Sequence, residues 1–464
     1  MAFANEMLMY DDNFPEIWGN VTDWIEKFNN LLSPFANRPN TRVVILCQKH
    51  TYSISMMYAA RDLNIPYIPI DINSPVNRIS AIIEQIDPFI VLYQKSEIDV
   101  AQLPLDNINV IWENNVVSFA TVQPQSNLAH HPDLSFVLFT SGSTGIPKGV
   151  MTSRNNANCF VDWMISEFGI TKQSRILSIA PLHFDLSVFD VFAAEKLKAG
   201  LFVPLVSMIV NPMYLADFIF NFKIDTLYAT PTWYNLLLQY GKLRRHDFSL
   251  VKTVLIAGEA LKTQTVEELH KYFPNAQFAN LYGPTETNVC TFYKIDFQKP
   301  IKEKNGVVCI GKPCPYAALN TDADNILQVS GKSVMLGYWP AVQNLEWYST
   351  GDVVEMDADG DYYFMERADR MIKRNGYRIE PAEIETAILY HPEVGHVAVT
   401  AKGKEDKMEI TAHYTLKGTL QGEDLARFCL LHLPSYMVPD KFRQHEKLPL
   451  TSSGKTDYNA LMNS

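Results

Sequence analysis

The sequence predicts an α/β fold: a large N-terminal domain of helix-covered parallel sheets plus a small β-barrel unit, followed by a small α+β C-terminal domain. Three observations lead there. Short apolar, β-branched runs recur up to about residue 290, among them RVVILC, PYIPI, FIVLY, SFVLFT, TLYAT and TVLIAG. Between several of them lie amphipathic segments such as VNRISAIIEQI and NNANCFVDWMISEF, whose apolar residues recur at helical spacing. That alternation is the signature of parallel strands crossed by covering helices. From about 295 to 365 the texture turns to short strand-like pieces separated by turn residues, as in EMDADGDYYFME, which reads as the small β unit. Beyond the basic cluster Arg367, Arg370, Lys373 and Arg374, PAEIETAILYHPEV reads as a helix and HVAVTAK and EITAHYTL as strands. The expected division is therefore 1–368 and 369–464.

Composition narrows the function classes. With 464 residues, 47% of them hydrophobic and 20% charged, the chain can bury more than one core. A net charge of -11 disfavours nucleic-acid binding, which draws on clustered Lys and Arg. The six cysteines form no CxxC pair and have no zinc-like His spacing, so they read as reduced thiols. The first residues lack a basic flank before an apolar run, and no stretch reaches the roughly 18 apolar residues of a membrane helix. A soluble, cytoplasmic protein is expected.

The densest chemical signal is TSGSTGIPKG (140–149), directly after the strand-like SFVLF. Its hydroxyls (Thr140, Ser141, Ser143, Thr144), its glycines (Gly142, Gly145) and Lys148 can wrap N–H and O–H donors around phosphate oxygens. It is not a Walker loop, because Pro147 and Gly149 flank the lysine where Gly and Ser or Thr are needed. Taken alone, it also fits a flexible Ser/Gly turn.

This loop resembles the phosphate-binding signature of the ANL superfamily, which comprises acyl-CoA synthetases, luciferases and peptide-synthetase adenylation domains. Further blocks similar to that family follow in order: LYGPTET (281–287), YSTGD (348–352), ERADRMIKRNGYRIEPAEIE (366–385) and PLTSSGK (449–455), with IPYIPIDINSPVNRI (65–79) upstream. The resemblance implies one ATP site. In it Tyr282 would stack on adenine, Thr285 would donate to phosphate and Glu286 would hold Mg2+, a hard ion suited to oxygen ligands. Asp352 would bind the ribose with Arg367 beside it; Gly258, Glu259 and Ala260 would face the adenine edge, and Asn280 and Gly283 would complete the nucleotide site.

The implied reaction has two halves. A carboxylate attacks the α-phosphate of ATP to give an acyl-adenylate and pyrophosphate, with Lys455 the key residue against the growing charge. A thiol then takes the acyl group. The family rotates its small domain between the halves, which makes Asp369 the hinge and sets Lys373, Gly376 and Tyr377 in the loop facing the thiol.

The acid activated is read from HFDLS (183–187), because relatives that take α-amino acids carry an aspartate there to pair with the ammonium. The alternative is that Asp185 opens a helix as its N-cap. The pocket positions carried over from the family are Asp185, Leu186, Phe189, Tyr228, Leu255, Ala257, Leu281, Val289 and Cys290, together with Lys455. Apart from Asp185, Lys455 and the Tyr228 hydroxyl this lining is apolar, and the set resembles that of free-standing L-prolyl-[carrier protein] ligases. Proline is the expected substrate, with pipecolate, alanine and valine as rivals, since one methylene is worth only about 1–3 kcal/mol. The expected acceptor is phosphopantetheine on a separate carrier protein. Arg154, Met371 and Glu366 depart from the usual family residues. A CoA ligase, a luciferase-like oxygenase and a non-catalytic nucleotide-binding regulator are the alternatives.

Overall fold

A computed structural model of the chain describes residues 9–12, 21–126, 128–142, 146–403, 408–418, 422–450 and 456–462. Two eight-stranded sheets dominate the first part. In one, Leu134–Thr140, Tyr67–Pro69, Val43–Leu46 and Ile90–Gln94 run parallel in that order. In the other, Gly200–Val203, Arg175–Leu177, Thr226–Ala229, Thr253–Ile256 and Gln277–Tyr282 run parallel, followed by the antiparallel Thr291–Ile295 and Lys312–Pro313.

The cores explain why these runs are nearly continuously apolar. Strands such as Val43–Leu46 and Thr253–Ile256 are buried on both faces, which suits parallel sheets covered on each side. The largest core draws Val43, Ile45 and Phe136 from one sheet and Leu201, Tyr228 and Leu255 from the other. Between them lie residues of the helices Thr51–Asp62, Arg154–Glu167 and Leu186–Leu197. Those helices are thus sandwiched, which is why Leu186–Leu197 is buried along its first nine residues rather than on one stripe.

The turn-rich stretch forms a four-stranded antiparallel sheet, Ala317–Thr321, Ile326–Gly331, Tyr348–Met356 and Tyr362–Arg367, with its own apolar cluster. This is the small β unit the sequence led us to expect; its outer strand 362–367 bridges at Tyr362 to Gly311, and its other outer strand is 317–321.

The tail has a separate core. The hairpin Ile372–Arg374 and Tyr377–Ile379, the helices Pro381–Leu389 and Gly422–His432 and a three-stranded sheet gather Ile379, Ile384, Ile410, Leu425 and Cys429 around one centre. The last backbone bond to the preceding sheet runs from Ala368 N–H to the Gly351 carbonyl at 2.9 Å. All six cysteines are free, and no helix among the described residues is long and apolar enough to cross a membrane.

Candidate active site

A cleft opens where the ends of both large sheets meet the tail. Thr140, Ser141, Asp185, Leu186, Tyr228, Ala257, Gly258, Gly283, Thr285, Val289, Asp352, Arg367, Lys373 and Gly376 line it. A recess beside it is walled by Gly258, Glu259, Ala260, Asn280, Leu281, Tyr282 and Gly283. Residues dispersed from 140 to 376 are therefore brought to one place, mostly at strand ends where backbone turns leave side chains free to face the opening.

Several of the cleft's polar groups have defined partners. The Tyr282 hydroxyl donates to Asp352 Oδ2, and the Arg367 guanidinium reaches Asp352 Oδ1 at 2.8 Å and the two oxygens of Asp369 at 2.9 and 2.6 Å. A carboxylate offers about four lone-pair sites. Asp352 thus retains acceptor capacity for a diol while being fixed by Tyr282 and Arg367. The same guanidinium ties the site to the expected hinge residue Asp369.

Asp185 precedes the helix Leu186–Leu197, but its side chain makes no capping bond. Instead its Oδ2 accepts from the Thr285 hydroxyl at 2.7 Å. Burial pushes its carboxyl above the usual aspartate range, against the Thr285 bond that favours the charged form. A cation beside it would reverse that shift.

Glu286 is fully buried. Its two oxygens lie 2.7 and 2.9 Å from Arg378 Nη1, and the Tyr338 hydroxyl donates to one of them at 2.7 Å. Burial alone would raise its carboxyl, yet the Arg378 guanidinium and the Tyr338 hydroxyl outweigh it and hold the group below the ordinary glutamate range. A depressed value in the folded state contributes stability that is complete above the unfolded value of about 4.3 and is lost as pH falls through the folded one. The melting-temperature gap between wild type and Glu286→Gln should then hold steady from about pH 8 to about pH 5 and narrow below that. A gap that does not narrow in acid would show that Glu286 is not ionised by this pairing.

The hairpin 372–379 is seated in the cleft. Gly376 has φ +81°, and a Cβ there would stand 3.0 Å from the Thr230 Cγ2, so both backbone and space call for glycine. Tyr377 stacks on Tyr436 at 3.8 Å and meets Phe184 edge-on at 5.2 Å, and the Ser141 hydroxyl donates to the Arg378 carbonyl. Arg78 and Glu383 form a buried ion pair between the large domain and the tail.

Several expected residues take other places. Glu259 walls the recess, but its oxygens accept from the Thr232 N–H and hydroxyl at 2.8 and 2.9 Å, starting the helix Pro231–Tyr240. Lys148 begins a strand and lies 5.5 Å over the Tyr338 ring. Phe189, Leu255 and Cys290 are fully buried behind the cleft, Phe189 edge-on to Tyr228 at 5.7 Å, so they support the lining without forming it. Ser143, Thr144, Gly145 and Lys455 lie outside the described residues. The structure adds Phe160, Arg78, His183, Arg378 and Tyr436 to the lining, and places the expected Tyr377 there too. Arg378 was within reach of sequence reasoning, as it stands inside the basic block, whereas Phe160 sits in a helix with no chemical signature.

Comparisons with known proteins agree with this geometry. The AMP-binding enzyme family matches residues 10–339, and the AMP-binding enzyme C-terminal domain family matches 383–455. An L-proline--[L-prolyl-carrier protein] ligase of Pseudomonas fluorescens is 32% identical, covering 94% of this chain and 92% of that protein. A D-alanine--D-alanyl carrier protein ligase of Staphylococcus epidermidis is 30% identical, covering 88% and 86%. The crystal structure of IdnL1 superposes with a TM-score of 0.81 at 21% identity, covering 96% of each chain. The chain belongs to the AMP-binding enzyme family, and it is a ligase.

Proposed function

We propose that this enzyme activates L-proline with ATP and passes the prolyl group to the phosphopantetheine thiol of a separate carrier protein. The observation that carries the reading is Asp185, a half-buried carboxylate whose side-chain partner is the neutral Thr285 hydroxyl, in a cleft whose amino-acid end is walled by Leu186, Phe160, Val289 and Ala257. An ionised group there calls for a cation. Small apolar walls leave the rest of that cation a compact, uncharged body. The prolyl-carrier ligase noted above supports proline over the D-alanine of its other relative.

In the first half-reaction a carboxylate oxygen of proline attacks the α-phosphorus of ATP, the bond to the β-phosphate oxygen breaks, and pyrophosphate leaves. Asp185 would hold the ammonium and Thr285 would donate toward phosphate. Lys455 would neutralise charge at the transferring group. The nucleoside would lie with its base against Tyr282 and its ribose hydroxyls at Asp352. Glu286 is the oxygen donor Mg2+ prefers, and the ion when bound would screen the polyphosphate charge. Here Arg378 occupies both oxygens of Glu286, so the hairpin must withdraw before a metal can reach it. The present arrangement, with Gly376 and Tyr377 in the cleft, suits the second half-reaction, in which the thiolate sulfur attacks the acyl carbon and AMP leaves. Movement about Asp369 would connect the two.

The test is ATP–pyrophosphate exchange over a panel of amino acids, without CoA. Proline should stimulate best, and Lys455→Ala should lower exchange by about 100-fold or more. A large or charged amino acid as best substrate would overturn proline, and an unimpaired Lys455→Ala would remove that residue from the first step.

A further inference from the structure

The segment Ser178–Asp190 carries Asp185, Leu186 and His183 into the cleft, and both its ends converge on one buried cation. Lys49 Nζ donates to the Ala180 carbonyl at 2.7 Å near the start of the segment and lies 3.2 Å from Asp190 Oδ2 at its end. The Ser178 hydroxyl donates to that same oxygen at 2.6 Å, joining the first residue of the segment to the last. The Lys49 and Asp190 side chains are each 4% exposed, and Asp190 Oδ1 has no hydrogen-bond partner among the described residues. Asp190 therefore depends on Lys49 and Ser178 for its compensation.

Lys49 itself stands on a rigid base. The strand Val43–Leu46 leads into it, the Gln48 N–H donates to Gln94 at 3.3 Å, and His50 caps the helix Thr51–Asp62 in a reciprocal pair with Ser53. That helix then follows Leu186–Leu197 through two further contacts: the Tyr58 hydroxyl to the Val191 carbonyl at 2.7 Å, and Arg61 with Glu195. The first sheet thus grips the element of the second sheet that presents Asp185, and Lys49 is the grip nearest to it.

We propose that Lys49 is a positioning residue for amino-acid recognition: by pinning Ala180 and Asp190 together it holds the loop that aims Asp185 into the cleft. The inference rests on Asp185 receiving the substrate ammonium. Lys49 does not line the cleft and acts through the segment alone. A displacement of about 1 Å at such a remove can cost on the order of 100-fold.

The experiment measures KM for proline and for ATP separately in pyrophosphate exchange, with the melting temperature alongside, in wild type, Lys49→Met, Lys49→Arg and Ser178→Ala. Lys49→Met should raise the proline KM about 10- to 100-fold while leaving the ATP KM within about twofold, because the nucleotide recess is built from other strands. Lys49→Arg should recover most of the loss, and Ser178→Ala should raise the proline KM about threefold or more. An unchanged proline KM, or proline and ATP KM rising together, overturns the proposal. If Lys49→Met does not fold, Ser178→Ala decides alone, and an unaltered proline KM there overturns it equally. Wild-type enzyme showing no amino-acid-dependent exchange would instead remove the reading on which the inference rests.

Discussion

Asp185→Ala should lower kcat/KM for proline by roughly 100- to 3000-fold while leaving the same enzyme able to use a carboxylic acid that lacks the amino group. Removing one partner of a buried charge pair costs about 3–5 kcal/mol, because the remaining charge is left uncompensated, and about 1.4 kcal/mol is a factor of ten. The direction follows from the state of the carboxylate. Burial raises its pKa more than the Thr285 hydroxyl and its other neighbours, Lys373 among them, lower it, so the site is under-compensated and a substrate ammonium would restore its charge. The control is cyclopentanecarboxylate, which has the ring and the carboxylate of proline without its nitrogen. If the variant loses both substrates equally, Asp185 acts by ordering Thr285, and its proposed role in reading the amino group is wrong. Asp185→Asn keeps the bond to Thr285 and should behave as Asp185→Ala does toward proline.

Glu286→Gln is expected to reduce pyrophosphate exchange by about 100- to 1000-fold, the scale of losing one preorganised charge-stabilising group, and to raise the Mg2+ concentration needed for half-maximal rate. The structure adds a second consequence that family resemblance alone did not contain. Glu286 also anchors Arg378, whose guanidinium lies between it and Glu380. A neutral glutamine leaves that half-buried cation without its main counter-charge, so seating of the hairpin should weaken as well. Loading of a carrier from preformed prolyl-adenylate should therefore also slow. Exchange within about threefold of wild type at unchanged Mg2+ dependence would remove Glu286 from the metal's binding.

Much of the site was legible because the chemistry requires particular residue types in short local blocks. A phosphate loop needs hydroxyls and glycines in tight succession, and TSGSTGIPKG supplies them. Asp352, Arg367 and Tyr282 were readable for the same reason. The structure confirms their proximity and adds the bonds among them. The two readings left open for Asp185 part in the structure: a helix does begin at Leu186, yet the carboxylate turns to Thr285 rather than to the helix N–H groups. Local sequence cannot separate these outcomes, since both place an aspartate before an apolar helix.

By itself the sequence determined the layered α/β architecture, because apolar runs buried on both faces and helical periodicity are local patterns that survive in any arrangement of the parts. It also determined the nucleotide chemistry, through blocks whose spacing is local. Tertiary structure alone decided which residues meet across more than a hundred positions of chain: Lys49 with Asp190, Arg78 with Glu383, and Phe160 with the substrate walls. None of these has a motif, since a lone Lys, Arg or Phe is chemically ordinary until burial removes water from it and makes its partner indispensable. The occupation of Glu286 by Arg378 was likewise a tertiary decision, because it depends on where the tail is seated against the large domain and not on either segment alone.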